Sequence, residues 1–199
     1  MTSGMAGIKD KTRCDWCLAT PLYMEYHDKE WARPLHDDQR LFEMLILEGA
    51  QAGLSWITIL NKRNNYRAAY DNFDATKVAK YGEKKVNSLL QDAGIVRNRL
   101  KIAASITNAQ AFLKVVDEFG SFDKYIWGFV NNKPIINSLK SMADCPANTD
   151  LSDKISKDLR KRGFKFVGST IVYAYMQSIG MVDDHLNSCW RKSQRQGHS

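Results

Sequence analysis

The sequence predicts an almost entirely α-helical fold. Three observations carry that expectation. Apolar residues recur three and four apart through most long segments, the spacing of a helix face. No stretch alternates apolar and polar residues long enough to make a convincing strand. The composition, 44% hydrophobic and 26% charged with 11% aromatic residues, is that of a folded globular chain. A length of 199 residues suffices for one domain or two small lobes with a real core. There is no internal repeat and no low-complexity block.

Residues 1–11 have no apolar core, do not read as a signal peptide and are expected to be a polar tail. The segment Arg13–Trp31 concentrates cysteine, histidine and aromatic residues, and Tyr23–Trp31 suits a short helix with Tyr23, Tyr26, His27 and Glu30 on one face. Asp37 and Asp38 are N-cap candidates for a strongly apolar helix running to about Ala50 or Ala52. Gly53 interrupts it. A helical pattern resumes over Trp56–Tyr70, with Lys62, Arg63 and Arg67 making its outer face basic. Asp74 suits the cap of a short helix through Val78. Over Glu83–Ile106, one apolar stripe ends at Gly94 and another starts from Arg97. Helix is expected from Phe122 and loop over Asn131–Thr149. Asp150 or Ser152 is expected to cap a helix running to Arg162, with Gly163 as its C′ residue. Ile171–Ile179 reads as a buried helix and Asp183–Trp190 as a further one. Residues after Arg191 form a polar, basic tail.

The formal charge of +7 and pI of about 9.2 favour an acidic partner, of which nucleic acid is the commonest. No segment approaches the roughly 20 apolar residues of a membrane helix. The four cysteines, in a chain with no secretion signal, read as thiols or metal ligands, and the expected setting is the cytoplasm.

Three features carry chemistry. Glu48 shares a helix face with Met44 and Leu45, so an acid points where apolar side chains point. Such an acid is costly to bury without partners or a ligand; it is either a structural acid at the core edge or part of a site. Helix, short Gly-containing turn and basic helix over 83–106 fit either an ordinary αα-hairpin or a DNA-binding helix-hairpin-helix, with Arg97, Arg99 and Lys101 just past the turn. His185 and Cys189, four apart, share a face if helical and suit zinc; Cys14 and His27 would complete a Cys2His2 set, with Cys17 to spare. The alternatives are small buried cysteines with surface histidines, or a redox role for Cys14 and Cys17.

Six stretches, RCDW (Arg13–Trp16), PLYMEYHDKEW (Pro21–Trp31), LFEMLILEGAQAGLSW (Leu41–Trp56), LLQDAGIVRNR (Leu89–Arg99), KRGFKFVGSTI (Lys161–Ile171) and DDHLNSC (Asp183–Cys189), occur in one order across nearly the whole chain. In these the chain resembles the 3-methyladenine DNA glycosylase I family, the constitutive bacterial type of the helix-hairpin-helix superfamily. The resemblance implies an all-α fold of two helical lobes around a base-binding cleft within 12–190. One lobe is expected at about 38–118; 12–37 with 119–190 form the other, joined by one structural zinc at Cys14, His27, His185 and Cys189. It implies hydrolysis of the N-glycosidic bond of 3-methyladenine in double-stranded DNA, without a lyase step, and a monomer is the expected state. Glu48 and Tyr26 are implied to hydrogen-bond the base, Trp56 to stack on it, and Trp16 and Tyr23 to line the pocket. Ala93, Gly94, Ile95 and Val96 are implied to hold a DNA phosphate through backbone amides, beside Arg97 and Arg99, and Gly53 and Leu54 to enter the gap left by the flipped base. A base must leave the stack to be processed, and aromatic faces can receive it.

None of Pro21, Pro34, Pro134 and Pro146 precedes an aspartate, so the Gly-Pro-Asp element of other superfamily members is missing and no aspartate is nominated as general base. Ala32, Ala50, Asn98 and Leu100 depart from the residues frequent in the family. Broader alkylpurine release, or zinc-stabilised lesion binding without cleavage, are the competing functions.

Overall fold

The computed structural model describes residues 11–192, so most of both expected tails lies outside the described residues. The helices are α1 (Pro21–Lys29), α2 (Asp38–Gln51), α3 (Trp56–Ala69), α4 (Ala75–Val78), α5 (Glu83–Gln91), α6 (Arg99–Phe119), α7 (Phe122–Gly128), α8 (Asp150–Lys161) and α9 (Ser169–Ser178). No helix among the described residues is long and apolar enough to cross a membrane.

Capping explains most boundaries. Thr20 accepts from the Tyr23 amide ahead of Pro21 at the start of α1. Asp37 accepts from the Arg40 amide at 2.9 Å and starts α2. Asp38 instead joins two helices, because its carboxylate accepts from the Phe122 and Asp123 amides at 2.9 and 2.8 Å and ties α7 to the head of α2. Asp74 caps α4 as expected. The second hairpin helix begins at Arg99 rather than Arg97, because the Asn98 side chain accepts from the Lys101 amide. Thr149, rather than Asp150 or Ser152, caps α8; its hydroxyl and that of Ser152 exchange bonds with each other's amides.

α2 is the central element, packed on α3, α6, α7 and α9. Leu41, Phe42, Met44, Leu45, Ile46 and Leu47 are all buried. A helix apolar on so many sides belongs inside a bundle, and this one joins a single core running from Tyr26 to Val182. A second, small cluster holds Cys14, Leu139, Leu186 and Cys189.

The C-terminal segment departs from expectation. Residues 183–189 are not helical. Val182–Asp183 (β2) pairs in parallel with Ile135–Ile136 (β1), and a bridge joins Leu139 to Leu186. The Asp183 carboxylate accepts both the His185 amide at 3.0 Å and His185 Nδ1 at 2.7 Å, which holds the backbone out of a helix. Helix resumes at Trp190, and Arg191 and Lys192 are buried rather than part of a solvated tail. Lys192 Nζ donates to the Asn137 carbonyl.

Candidate active site

The tryptophan-rich segment and α2 meet around a cavity of about 200 Å³. Its aromatic wall is Trp16, Tyr23, Tyr26, Trp31 and Trp56, with Glu48 among them. A short 3₁₀ turn at Asp15–Cys17 sets Trp16 edge-on to Tyr23 and Trp31, at centroid distances of 4.8 and 4.9 Å. Tyr26, on α1, lies 5.5 Å from Trp56 at the head of α3. The indole nitrogens of Trp16 and Trp56 are buried without a protein partner, leaving two donors beside the cavity that a ligand or water must satisfy.

Glu48 is 3% exposed. Burial pushes its carboxyl up to about 8, and the nearby Ser178 hydroxyl works against that rise. The free protein therefore keeps Glu48 largely protonated at neutral pH. Burial, then the nearby Glu48, hold the Tyr26 phenol well above its usual value, so it stays a hydrogen-bond donor. A cation entering this cavity would favour ionised Glu48, because an opposite charge offsets the desolvation.

All five cavity residues expected from sequence are thus brought together. Trp31, Gln51, Met142, Cys145, Ala174 and Gln177 complete the lining. The last four come from elements distant in sequence; Gln177 is legible only as a polar residue on an otherwise apolar helix.

α2 ends in the turn carrying Gly53 and Leu54. Gly53 adopts φ +79°, a conformation unfavourable for a side-chain-bearing residue, and Leu54 is 42% exposed at the tip. Lys101 Nζ donates to the carbonyls of Ala50 and Ala52 at 2.8 and 2.7 Å, so α6 clamps the turn from behind. This bond pair answers the free carbonyls at the end of α2.

The turn between α5 and α6 is pinned by buried Ile95 and by α3: Lys62 donates to the Ala93 carbonyl, and the Tyr66 hydroxyl accepts from the Val96 amide. A side chain at Gly94 would meet Asn65 at 3.0 Å. The amides of Gly94 and Ile95 are also engaged, by the side chain and carbonyl of Asp92 respectively. Three of the four turn amides expected to face phosphate are therefore bonded internally. Arg97 and Arg99 are exposed beside them. The basic outer face expected of α3 is largely neutralised: Arg63 makes a bidentate pair with Glu30 at 2.6 and 2.8 Å, and Arg67 pairs with Glu43 at 2.8 Å.

Cys14, His27 and Cys189 are buried, with their ligand atoms within 4.8 Å of one another. His185 stands beside this trio, its ring 4.8 Å from that of His27, and its Nε2 is buried without a partner. Asp28 and Asp183 engage Nδ1 of His27 and His185 at 2.8 and 2.7 Å, leaving Nε2 of each ring for another partner. His185 and Cys189 reach the cluster from a turn, not from one helix face. Hydrogen bonds from Cys14 and His27 hold the Cys189 thiol well below its usual range, while sharing that bond and burial push Cys14 up. The Cys17 thiol points elsewhere, donating to the Cys14 carbonyl.

The methyladenine glycosylase family matches residues 16–192. A DNA-3-methyladenine glycosylase 1 of Escherichia coli is 50% identical over 177 residues, covering 89% of this chain and 95% of that protein. A DNA-3-methyladenine glycosylase of Haemophilus influenzae is 48% identical over 178 residues, covering 89% and 96%. A solved variant of 3-methyladenine DNA glycosylase I in complex with 3-methyladenine superimposes with a TM-score of 0.88 at 37% identity, covering 90% of this chain and 97% of that one.

Proposed function

The chain belongs to the methyladenine glycosylase family, and from that premise we propose that it hydrolyses the N-glycosidic bond of 3-methyladenine in alkylated double-stranded DNA, leaving an abasic site. The observation that carries the reading is Glu48, an acid buried in an aromatic cavity large enough for one purine. Alkylation at N3 makes the base cationic. Stacking against Trp56 holds its face, and Tyr26 donates to its edge. The cation draws Glu48 into its ionised form. As the bond to C1′ breaks, its electron pair passes to the base and cancels that charge, and water adds to C1′ while its proton goes to solvent. Such a base is already a good leaving group, so the catalytic contribution is orientation and electrostatic stabilisation of an oxocarbenium-like sugar. No lysine lines the cavity among the described residues, which leaves no amine for a Schiff base and a lyase step.

DNA is held on the face carrying the α5–α6 turn, read as a helix-hairpin-helix. Because the Gly94 amide is taken by Asp92, phosphate is met by Arg97 and Arg99 and by that amide once the carboxylate turns away. Leu54 fills the gap behind the flipped base. We read the acting species as a monomer. The reading is tested by free-base release from methylated duplex DNA; no 3-methyladenine above the spontaneous rate would overturn it.

The donor set of Cys14, His27, His185 and Cys189 fits zinc: two sulfurs, two imidazoles with Nε2 available, and an otherwise orphaned His185 Nε2. Such an ion would cross-link the segments carrying Cys14 and Cys189 and would supply no chemical step. It would reinforce the small cluster around Cys14 and Cys189, which has little apolar area of its own. Metal analysis should find one zinc per chain, lost in a Cys14→Ser, Cys189→Ser variant; metal-free protein of unchanged stability would contradict this.

A further inference from the structure

Gln177, on α9, is a half-buried polar side chain that lines the cavity and takes no part in the hydrolysis described above. Its amide nitrogen donates to Oδ2 of Asp184 at 2.7 Å and lies 3.4 Å from the Cys145 sulfur. Asp184 is fully buried, and it also accepts from the Tyr173 hydroxyl and the Asn137 amide, each at 2.7 Å. A carboxylate only accepts hydrogen bonds, so the Gln177 amide must turn its NH₂ towards Asp184. The opposite end, Oε1, receives no bond from the described residues and is not sealed in the core. Because Gln177 lines the cavity, Oε1 is the end of its amide that remains to act there as an acceptor.

This fixes what Oε1 can meet. The only N–H donors of an N3-alkylated adenine in DNA are on the amine at C6, whereas N1 and N7 accept. A 6-oxo purine presents an acceptor at C6 instead. We propose that Gln177 is a specificity-determining residue whose Oε1 accepts a hydrogen bond from the exocyclic amine of the flipped base, selecting 6-amino over 6-oxo purines. The proposal rests on the glycosylase reading of this cavity. Its energetic basis is the asymmetry of hydrogen bonding: two acceptors facing each other in a confined site leave both unsatisfied, and that disfavours the wrong base more than the correct bond favours the right one. The buried Asp184 network acts as the anchor that prevents the amide from flipping to suit a 6-oxo group.

The test uses free bases and the intact chain, so it needs no cleavage. Quenching of tryptophan fluorescence, to which Trp16, Trp31 and Trp56 at the cavity wall contribute, is followed on titration with 3-methyladenine and with its 6-oxo counterpart, 3-methylhypoxanthine. The native chain should prefer the 6-amino base about tenfold or more, the size of one confined hydrogen bond. Gln177→Met and Gln177→Asn, which remove or retract the acceptor, should bring the two affinities within about threefold. Tyr173→Phe removes another donor to Asp184 but keeps Oε1, and should retain the preference. A native chain without preference, a folded Gln177 variant with the native ratio, or a Tyr173→Phe ratio that collapses equally would each overturn the proposal. Selective binding of 3-methyladenine without release from DNA would instead sink the glycosylase reading and leave the selectivity of Gln177 standing.

Discussion

Replacing Glu48 by glutamine should make the protein more stable and less active, and the stability gain should grow with pH. The carboxyl is moved from an ordinary 4.5 to about 8, chiefly by burial. Between these values the unfolded chain has released a proton that the folded chain retains. A group with a raised folded pKa contributes its full stability below the unfolded value and loses it as pH rises towards the folded value. The folded state therefore loses about 1.4 kcal/mol per pH unit over this window. From pH 4.5 to pH 7 the loss is roughly 3 kcal/mol, and it levels off above pH 8. Glutamine has nearly the same shape and no titration. At pH 5 the two proteins should differ by less than about 1 kcal/mol from this source; at pH 7 the variant should lead by roughly 3, or about 6–12 °C in Tm for a chain of this size. The assay is urea denaturation of both proteins at pH 5, 6, 7 and 8, with base release measured on the same preparations. A stability difference that does not change with pH would refute the reasoning, because it would mean that Glu48 is ionised throughout. Release of 3-methyladenine from DNA should fall about a hundredfold, the scale of losing one well-placed electrostatic group.

Two further outcomes follow from the elements proposed to face DNA. Arg97→Ala and Arg99→Ala should each lower the slope of log affinity against log salt by about one while leaving free-base binding intact; an unchanged slope would remove that arginine from the phosphate contact. Lys101→Met should unclamp the carbonyls of Ala50 and Ala52, costing about 1–2 kcal/mol of stability. Base release from duplex DNA should fall further than affinity for free 3-methyladenine, since the clamp acts on the Gly53–Leu54 turn and reaches the cavity only through Gln51; equal losses in both would place its effect elsewhere.

Much of the frame was legible from local chemistry. Asp37 and Asp74 stand where helices begin, and the side-chain oxygen of each accepts a bond from an amide of the first turn. Two departures from family habit also find local reasons. Asn98 is the side-chain cap of α6. Ala32 adopts φ +58°, while its methyl group is fully buried, so packing offsets part of the backbone cost.

Other features were invisible because their causes are not local. His185 and Cys189 satisfy helical spacing, yet a two-residue ladder to Ile135–Ile136 and the Asp183 carboxylate keep the segment out of a helix. Arg63 and Arg67 read as a basic face until α1 and α2 supply Glu30 and Glu43 opposite them. The resemblance implies that the turn amides of the α5–α6 hairpin hold phosphate, but Asp92 and Tyr66 occupy three of the four.

By itself, the sequence determined the helical class, most helix boundaries and the inward direction of Glu48, because periodicity and capping act over one or two turns. Only the tertiary structure decided what surrounds that acid. The rise of its pKa, the closure of the cavity by Gln177 and Cys145, and the convergence of Cys14 and His27 with Cys189 all depend on groups brought together across more than a hundred residues. Desolvation and hydrogen-bond direction are properties of that enclosure, not of any stretch of chain.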